Sequence, residues 1–410
     1  MIIESNAYVV VSVVDSSFSG KERNMVRTHI RIPFNRAYVA AGAFGYVQEA
    51  LSQGCRAGNG EFADRCRTVL NERYGCKHVF FTPSCTAALE FGAILTDLQP
   101  GDEVILPSYT FSSTVNAIVL RGARPRFCDV RPETMNMDPE HAAALINSRT
   151  RMLLPIDYAG IPCDVVALTT LARENDLTLF IDAAQSIGSA SAGNSCGTFG
   201  DIAAFSFHET KNVSCGEGGA LIVNREDWVE RAHIIQEKGT DRRRVLMGLQ
   251  DKYSWVDVGS SFLLSEVSAE ILLAQLECLD ETTALRSQVT EAYRALYSPF
   301  EQRGCLSTPH PGPDVELNHH AFFVIFNTAE NRARFLGDLR GYGVSPYIGY
   351  IPLHSSVMGR SYGYEPNDLP ITQSVSERIV RLPFYPDLAR DGLDYCMESM
   401  SKVLEKIYGR

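Results

Sequence analysis

Short apolar runs alternate along this chain with stretches that carry an apolar stripe. Val79 to Thr82, Glu103 to Pro107, Arg126 to Val130, Met152 to Ile156, Thr178 to Asp182 and Ile202 to Phe207 have the length and composition of buried strands. Between them Ala87 to Leu98, Val115 to Gly122 and Val165 to Asn175 read as helices. Strands and helices in short alternation predict an α/β fold, a mostly parallel sheet covered on both faces. Ahead of this block, Ala40 to Leu51 and Glu61 to Arg73 read as helices joined by a Gly54 to Gly60 loop. After it come a strand at Ala220 to Val223, a helix at Asp227 to Gln236, and long helices at Leu264 to Asp280 and Thr282 to Gln302. Pro309 to Pro313, P-H-P-G-P, is the clearest linker. A strand at Ala321 to Phe326, a helix at Asn331 to Tyr342, a strand at Val344 to Tyr350 and a helix at Gly392 to Ile407 then predict a small C-terminal α/β domain. The expected partition is an extension of unknown structure at 1–31, a large domain at 32–280 and the small domain at 281–410.

Polar residues interrupt this pattern in three informative places. The stretch D-I-A-A-F-S-F-H-E-T-K-N-V-S-C-G-E-G-G-A, Asp201 to Ala220, runs from a buried strand to one lysine and then to a glycine cluster. A lysine at a strand end can be partly desolvated, lose its proton more easily and attack an aldehyde. Taken alone, Lys211 reads first as a solvated loop lysine. Asp182 closes a second strand, at the edge where open α/β sheets hold ligands. A carboxylate there would keep the ring nitrogen of pyridoxal phosphate protonated. The competing reading is a helix N-cap. In the third place a strand end meets P-S-C-T-A-A-L-E, where Ser84, Thr86 and a helix start would hold a phosphate dianion. Lysine, acid and phosphate cradle together are far more specific than any one of them.

These strings resemble the DegT–StrS type of sugar-nucleotide aminotransferase, from about Ile32 to the C-terminus. The resemblance is carried by I-P-F-N (Ile32 to Asn35), T-P-S-C-T-A-A-L-E (Thr82 to Glu90), Gly101 to Ala117, D-A-A-Q (Asp182 to Gln185), S-F-H-E-T-K-N (Ser206 to Asn212) and D-K-Y-S-W-V-D-V-G-S-S (Asp251 to Ser261). Within the family the chain is most similar to the dTDP-4-amino-4,6-dideoxygalactose transaminases. The resemblance implies a fold-type-I, aspartate-aminotransferase-like large domain. It also implies amino transfer from L-glutamate to the 4-keto carbon of dTDP-4-keto-6-deoxy-D-glucose, giving a dTDP-4-amino-4,6-dideoxyhexose. Alternatives are a 3-keto or UDP-linked sugar, or a non-catalytic regulator on the same fold. Lys211 would hold the aldehyde of pyridoxal phosphate, Asp182 its ring nitrogen, and the aminated cofactor, pyridoxamine phosphate, would link the two half-reactions.

By the same resemblance Thr86 and Ser206 lie at the cofactor phosphate, Cys85 is a cofactor-binding candidate that reads otherwise as a small apolar packing residue, and Gln185 lies beside the ring. Tyr109 and Phe111 alternate, so one should face the ligand. The resemblance favours Phe111 stacking on the ring, against a reading as plain core packing. His208, Tyr350 and His354 are substrate-binding candidates, with a structural hydrogen-bonded histidine as the alternative for His208. Ser261 stands where much of the family has an asparagine that reaches the neighbouring subunit's cofactor, which implies a homodimer with shared sites. Gly349 stands where close relatives have histidine, which leaves sugar identity and product stereochemistry open.

Composition narrows the setting. The 410 residues are 45% hydrophobic and 21% charged, with a formal net charge of −11, which speaks against nucleic acid as the main partner. Eleven cysteines without any C-x-x-C pair fit free thiols in a reducing cytoplasm and give no zinc spacing. The apolar run Ala7 to Val14 is too short to span a bilayer and follows Glu4, not a basic segment, so neither a membrane anchor nor a signal peptide is expected. An alternative start at Met25, an extra strand and a loose tail all remain readings of the first 31 residues.

Overall fold

The computed structural model describes residues 30–54 and 57–409. The expected extension at 1–31 therefore lies outside the described residues except for its last two. Seven strands form the main sheet in the order Val79–Thr82, Gly219–Val223, Ile202–Ser206, Thr178–Asp182, Thr150–Leu153, Glu103–Pro107 and Arg124–Cys128. The last five of these run parallel, and Gly219–Val223 is antiparallel to both its neighbours. The strands read as continuous apolar runs because both faces are covered. Along them, neighbouring residues point to opposite faces: Phe81, Ile181 and Ile222 join one core cluster, Phe80, Phe180 and Leu221 the other. Gly92 lets the Cys85–Leu95 helix press onto the sheet, since a Cβ there would lie 2.4 Å from the Phe180 ring.

A third cluster forms the small C-terminal unit. Its three-stranded antiparallel sheet, Leu306–Ser307, Phe323–Phe326 and Ile379–Arg381, packs with the Leu279–Gln302, Ala329–Gly341 and Leu393–Tyr408 helices. Here the sequence expectation needs correction. Val344 to Tyr350 is not a strand: Val344 and Tyr347 make single bridges to Ile32 and Arg381. Pro346 cannot donate to a ladder, and Gly349 turns the chain at φ +78°. The strand that fills the place is Ile379–Arg381, three residues long and unanticipated. Among the described residues no helix is long and apolar enough to cross a membrane, no group of side chains could hold a metal ion, and all ten cysteines are free.

Candidate active site

The three polar interruptions meet at the C-terminal rim of the parallel strands. Asp182 ends its strand 5% exposed. Its Oδ2 accepts from the Thr114 hydroxyl at 2.8 Å, and its Oδ1 from the Ala184 amide at 3.2 Å. Burial raises its carboxyl pKa, while those two bonds and the charge of Lys211 work against the rise. Asp182 is thus an anchored acid and not a helix N-cap.

Lys211 follows a tight turn in which its amide donates to the His208 carbonyl at 2.9 Å. Burial lowers its pKa, Cys85 and Asp182 act to raise it, and Arg381 acts to lower it further. The Cys85 thiol is itself pushed well up by burial and stays neutral, so Asp182 is the effective counter-charge. A lysine held this way is a better nucleophile and proton carrier near neutral pH than a solvated one. Its neighbour Asn212 fixes the turn, donating to the Asn318 carbonyl at 2.7 Å and bonding His320 Nδ1 at 2.9 Å.

Two helix starts supply the anion cradle. In the Cys85–Leu95 helix Ser84 is the N-cap, accepting from the Ala87 amide at 3.1 Å. The amides of Cys85 and Thr86 have no protein acceptor among the described residues. Thr86 Oγ1 lies 2.8 Å from Ser113 Oγ, which ties this start to that of the Ser112–Val119 helix. Free amides at a helix start suit a phosphate. Gly219 makes the cradle possible, because its Cβ would sit 2.5 Å from the Cys85 nitrogen. Ser206, 5% exposed, closes the adjoining strand. A buried acid, a depressed amine and an open phosphate cradle are the donor set that pyridoxal phosphate requires, so the residues fit that cofactor.

Aromatic side chains line the next layer. Tyr109 is 1% exposed and Phe111 58%, so the alternation leaves Phe111 as the open ring. The Tyr350 ring lies 6.2 Å from Phe111 and 5.6 Å from Tyr109. Gln185 Oε1 accepts from the Ala159 amide at 2.8 Å. His208 is partly open, with Nδ1 accepting from the Thr210 amide at 3.3 Å and Nε2 3.6 Å from Glu217.

One expectation changes in the structure, and two further positions gain a setting. His354 is fully buried: Nδ1 pairs with Ser108 Oγ at 2.7 Å and Nε2 with the Pro366 carbonyl at 3.1 Å. With both nitrogens used, it braces the wall and does not face a sugar. Gly349 is required by its surroundings, since a Cβ would meet Tyr109 Oη at 2.1 Å. Ser261 is exposed in a bridge with Glu237, and no described contact joins it to Lys211. Sequence reasoning also missed Arg381. Its charge acts on both Lys211 and His320, its guanidinium lies 6.0 Å from the Tyr158 ring centre, and its Nε is buried without a partner. The only signal was an arginine in the short apolar run I-V-R-L.

Comparison with known proteins agrees with this geometry. Residues 40–401 match the model of the DegT/DnrJ/EryC1/StrS aminotransferase family. The spore coat polysaccharide biosynthesis protein SpsC of Bacillus subtilis is 29% identical over 92% of this chain and 98% of its own. The aminotransferase TlmJ of Streptoalloteichus hindustanus superposes with a TM-score of 0.84 at 28% identity, covering 92% of this chain and 99% of TlmJ. At 22% identity, where only the fold is shared, Spr1654 of Streptococcus pneumoniae superposes with TM-scores of 0.85 in its PMP form and 0.83 in its PLP form. Each match covers 92% of this chain and 99% or more of Spr1654. With nearly its whole length matched, the chain belongs to the DegT/DnrJ/EryC1/StrS aminotransferase family and is a pyridoxal-phosphate-dependent enzyme.

Proposed function

We propose that the enzyme moves an amino group from L-glutamate to the 4-keto carbon of a nucleotide-linked 4-keto-6-deoxyhexose, dTDP-4-keto-6-deoxy-D-glucose. The observation that carries the amino-transfer chemistry is the pairing of a buried acid, Asp182, with a depressed amine, Lys211, at one rim of the sheet; the sugar is supported by the strings similar to the dTDP-4-amino-4,6-dideoxygalactose transaminases. Bound there, pyridoxal phosphate supplies an aldehyde that condenses with amines and a ring that takes up the electron pair left when a proton departs. Asp182 holds the ring nitrogen in its protonated form. The amides of Cys85 and Thr86, with Ser206, hold the phosphate. Phe111 covers the ring face, a contact worth about 0.5–1.5 kcal/mol beyond area burial. Lys211 removes the proton from the donor carbon and returns it in reverse order to the sugar carbon, since microscopic reversibility assigns one base to both halves.

Arg381 is the remaining cation beside Lys211, and its unpaired Nε suits a donor carboxylate. Tyr350 and His208 stand at the open side for the sugar. A homodimer places Ser261 toward a second cofactor. The exposed side chains of Leu246, Met247, Leu249, Tyr253 and Trp255 support a second copy on that face. Free thiols and the negative net charge support a cytoplasmic setting.

The test is product analysis. Purified enzyme with glutamate and a panel of dTDP- and UDP-linked 3-keto and 4-keto sugars should yield an amino sugar from the dTDP-linked 4-keto-6-deoxy member at the highest kcat/KM. A higher value for a 3-keto or UDP-linked member would overturn the substrate assignment.

A further inference from the structure

We infer that a second anion site, for a small diphosphate-bearing molecule, lies at the opposite rim of the main sheet. A cavity of about 630 Å³ opens there beside Glu103, Arg124, Arg126, Arg149, Tyr362 and Tyr364. That volume falls within the roughly 300–1,000 Å³ of small-molecule pockets. It lies where strands Glu103–Pro107 and Arg124–Cys128 begin, whereas Asp182 ends its strand. The cavity is therefore separate from the catalytic rim.

Its charges are incompletely used. Glu103 is 3% exposed, and Arg149 takes its Oε1 at 2.6 Å while Asn147 takes Oε2 at 2.8 Å. Arg126 Nε forms an ion pair with that second oxygen at 3.5 Å, yet as a buried donor it has no hydrogen-bond partner. Arg124 has no ion-pair partner among the described residues. Three arginines thus face two carboxylates, Glu103 and Asp368, in a chain whose net charge is −11.

Geometry sets the ligand class. Arg124 and Arg126 are two apart on a strand, so they leave the same face about 6–7 Å apart. Guanidinium forks match phosphate oxygens, and two at this spacing suit a diphosphate. Tyr362 and Tyr364 add flat walls that a nucleoside could use. Arg124–Cys128 is the edge strand of the sheet, and charge on an edge also blocks strand pairing. That role explains the charge, but not the concavity or the unpaired Nε.

Isothermal titration of the holoenzyme at low salt tests the site, with inorganic diphosphate and thymidine diphosphate as probes. Arg124→Glu, at an exposed position that should leave folding intact, and the milder Arg126→Gln should each weaken diphosphate binding about tenfold or more. The rate of the glutamate half-reaction should stay unchanged in both. Tighter binding of the nucleotide that Tyr362→Ala reduces to the level of diphosphate identifies a nucleoside diphosphate as ligand. Equal affinities identify the diphosphate group alone. Absence of binding to wild type, or binding that neither arginine variant alters, would overturn the proposal. Thymidine diphosphate is also a fragment of the proposed substrate, so only the part of its binding that Arg124→Glu removes counts for this site, and inorganic diphosphate, which is not, separates failure of this proposal from failure of the keto-sugar assignment.

Discussion

The two walls of the active site are built differently. One stands on strand ends and helix starts of the main sheet: Asp182, Ser206, Lys211, and the Cys85 and Ser112 helix starts. The other is irregular chain from 344 to 354 and a three-residue strand ending at Arg381. The first wall takes its groups from backbone geometry that short sequence strings specify and braces them with bonds such as Thr114 to Asp182. The second holds them by long-range contacts, such as Ser108 with His354 and Tyr109 with Gly349. On the proposed mechanism the first wall does chemistry and the second recognises substrate, so substitutions in the two should change different kinetic constants.

The largest expected effect is in the first wall. Lys211→Ala should slow the glutamate half-reaction by about 10²–10⁴-fold, the usual scale of a lost acid–base group, in stopped-flow absorbance. Asp182→Asn should slow the same step without a matching rise in KM. An effect of either variant on KM alone would break the division between the walls.

In the second wall, Arg381→Gln should raise the KM for glutamate about 10–100-fold, the loss expected for a charge-assisted hydrogen bond of about 1.5–3 kcal/mol. Steady-state kinetics with varied donor would show it, and an equal fall in kcat at saturation would contradict a recognition role. His354→Ala should cost about 1–3 kcal/mol of stability in denaturant unfolding, because Ser108 Oγ loses a buried partner. The sugar KM should change little, and a large rise would restore His354 to the sugar site. Gly349→Ala meets both a positive φ and Tyr109 Oη, and should cost about 1–3 kcal/mol. Tyr109→Phe should recover part of that cost.

The legibility of the sequence follows the same division. Lys211 and Asp182 could be placed because each sits within a few residues of a buried strand; the Tyr109 and Phe111 alternation said that one ring is open, and the family resemblance chose Phe111. His354 could not be placed, because its role depends on Ser108 and Pro366, partners that sequence spacing does not bring together. Arg381 escaped notice because three residues give too little periodicity to mark a strand. Gly349 read as a missing side chain, when close approach of Tyr109 excludes any side chain there.

The smallest expected effect is a pH dependence of stability. Burial pushes His233 and His319 down to about 4 from 6.5. The folded state then binds fewer protons than the unfolded chain between those values. Their contribution is fully present above about pH 6.5 and is lost as pH falls toward about 4. Thermal unfolding across that range should show Tm falling with acidification, less steeply in His233→Phe. An unchanged slope in that variant would contradict the assignment.

On the proposed mechanism one lysine serves both half-reactions, and an absorbance spectrum of the purified holoenzyme tests this. A band from cofactor bound through Lys211 should fade when glutamate is added and return with dTDP-4-keto-6-deoxyglucose, with neither change at a comparable rate in Lys211→Ala. A wild-type protein that forms no such band with added pyridoxal phosphate, or a Lys211→Ala variant that cycles at the wild-type rate, would contradict it.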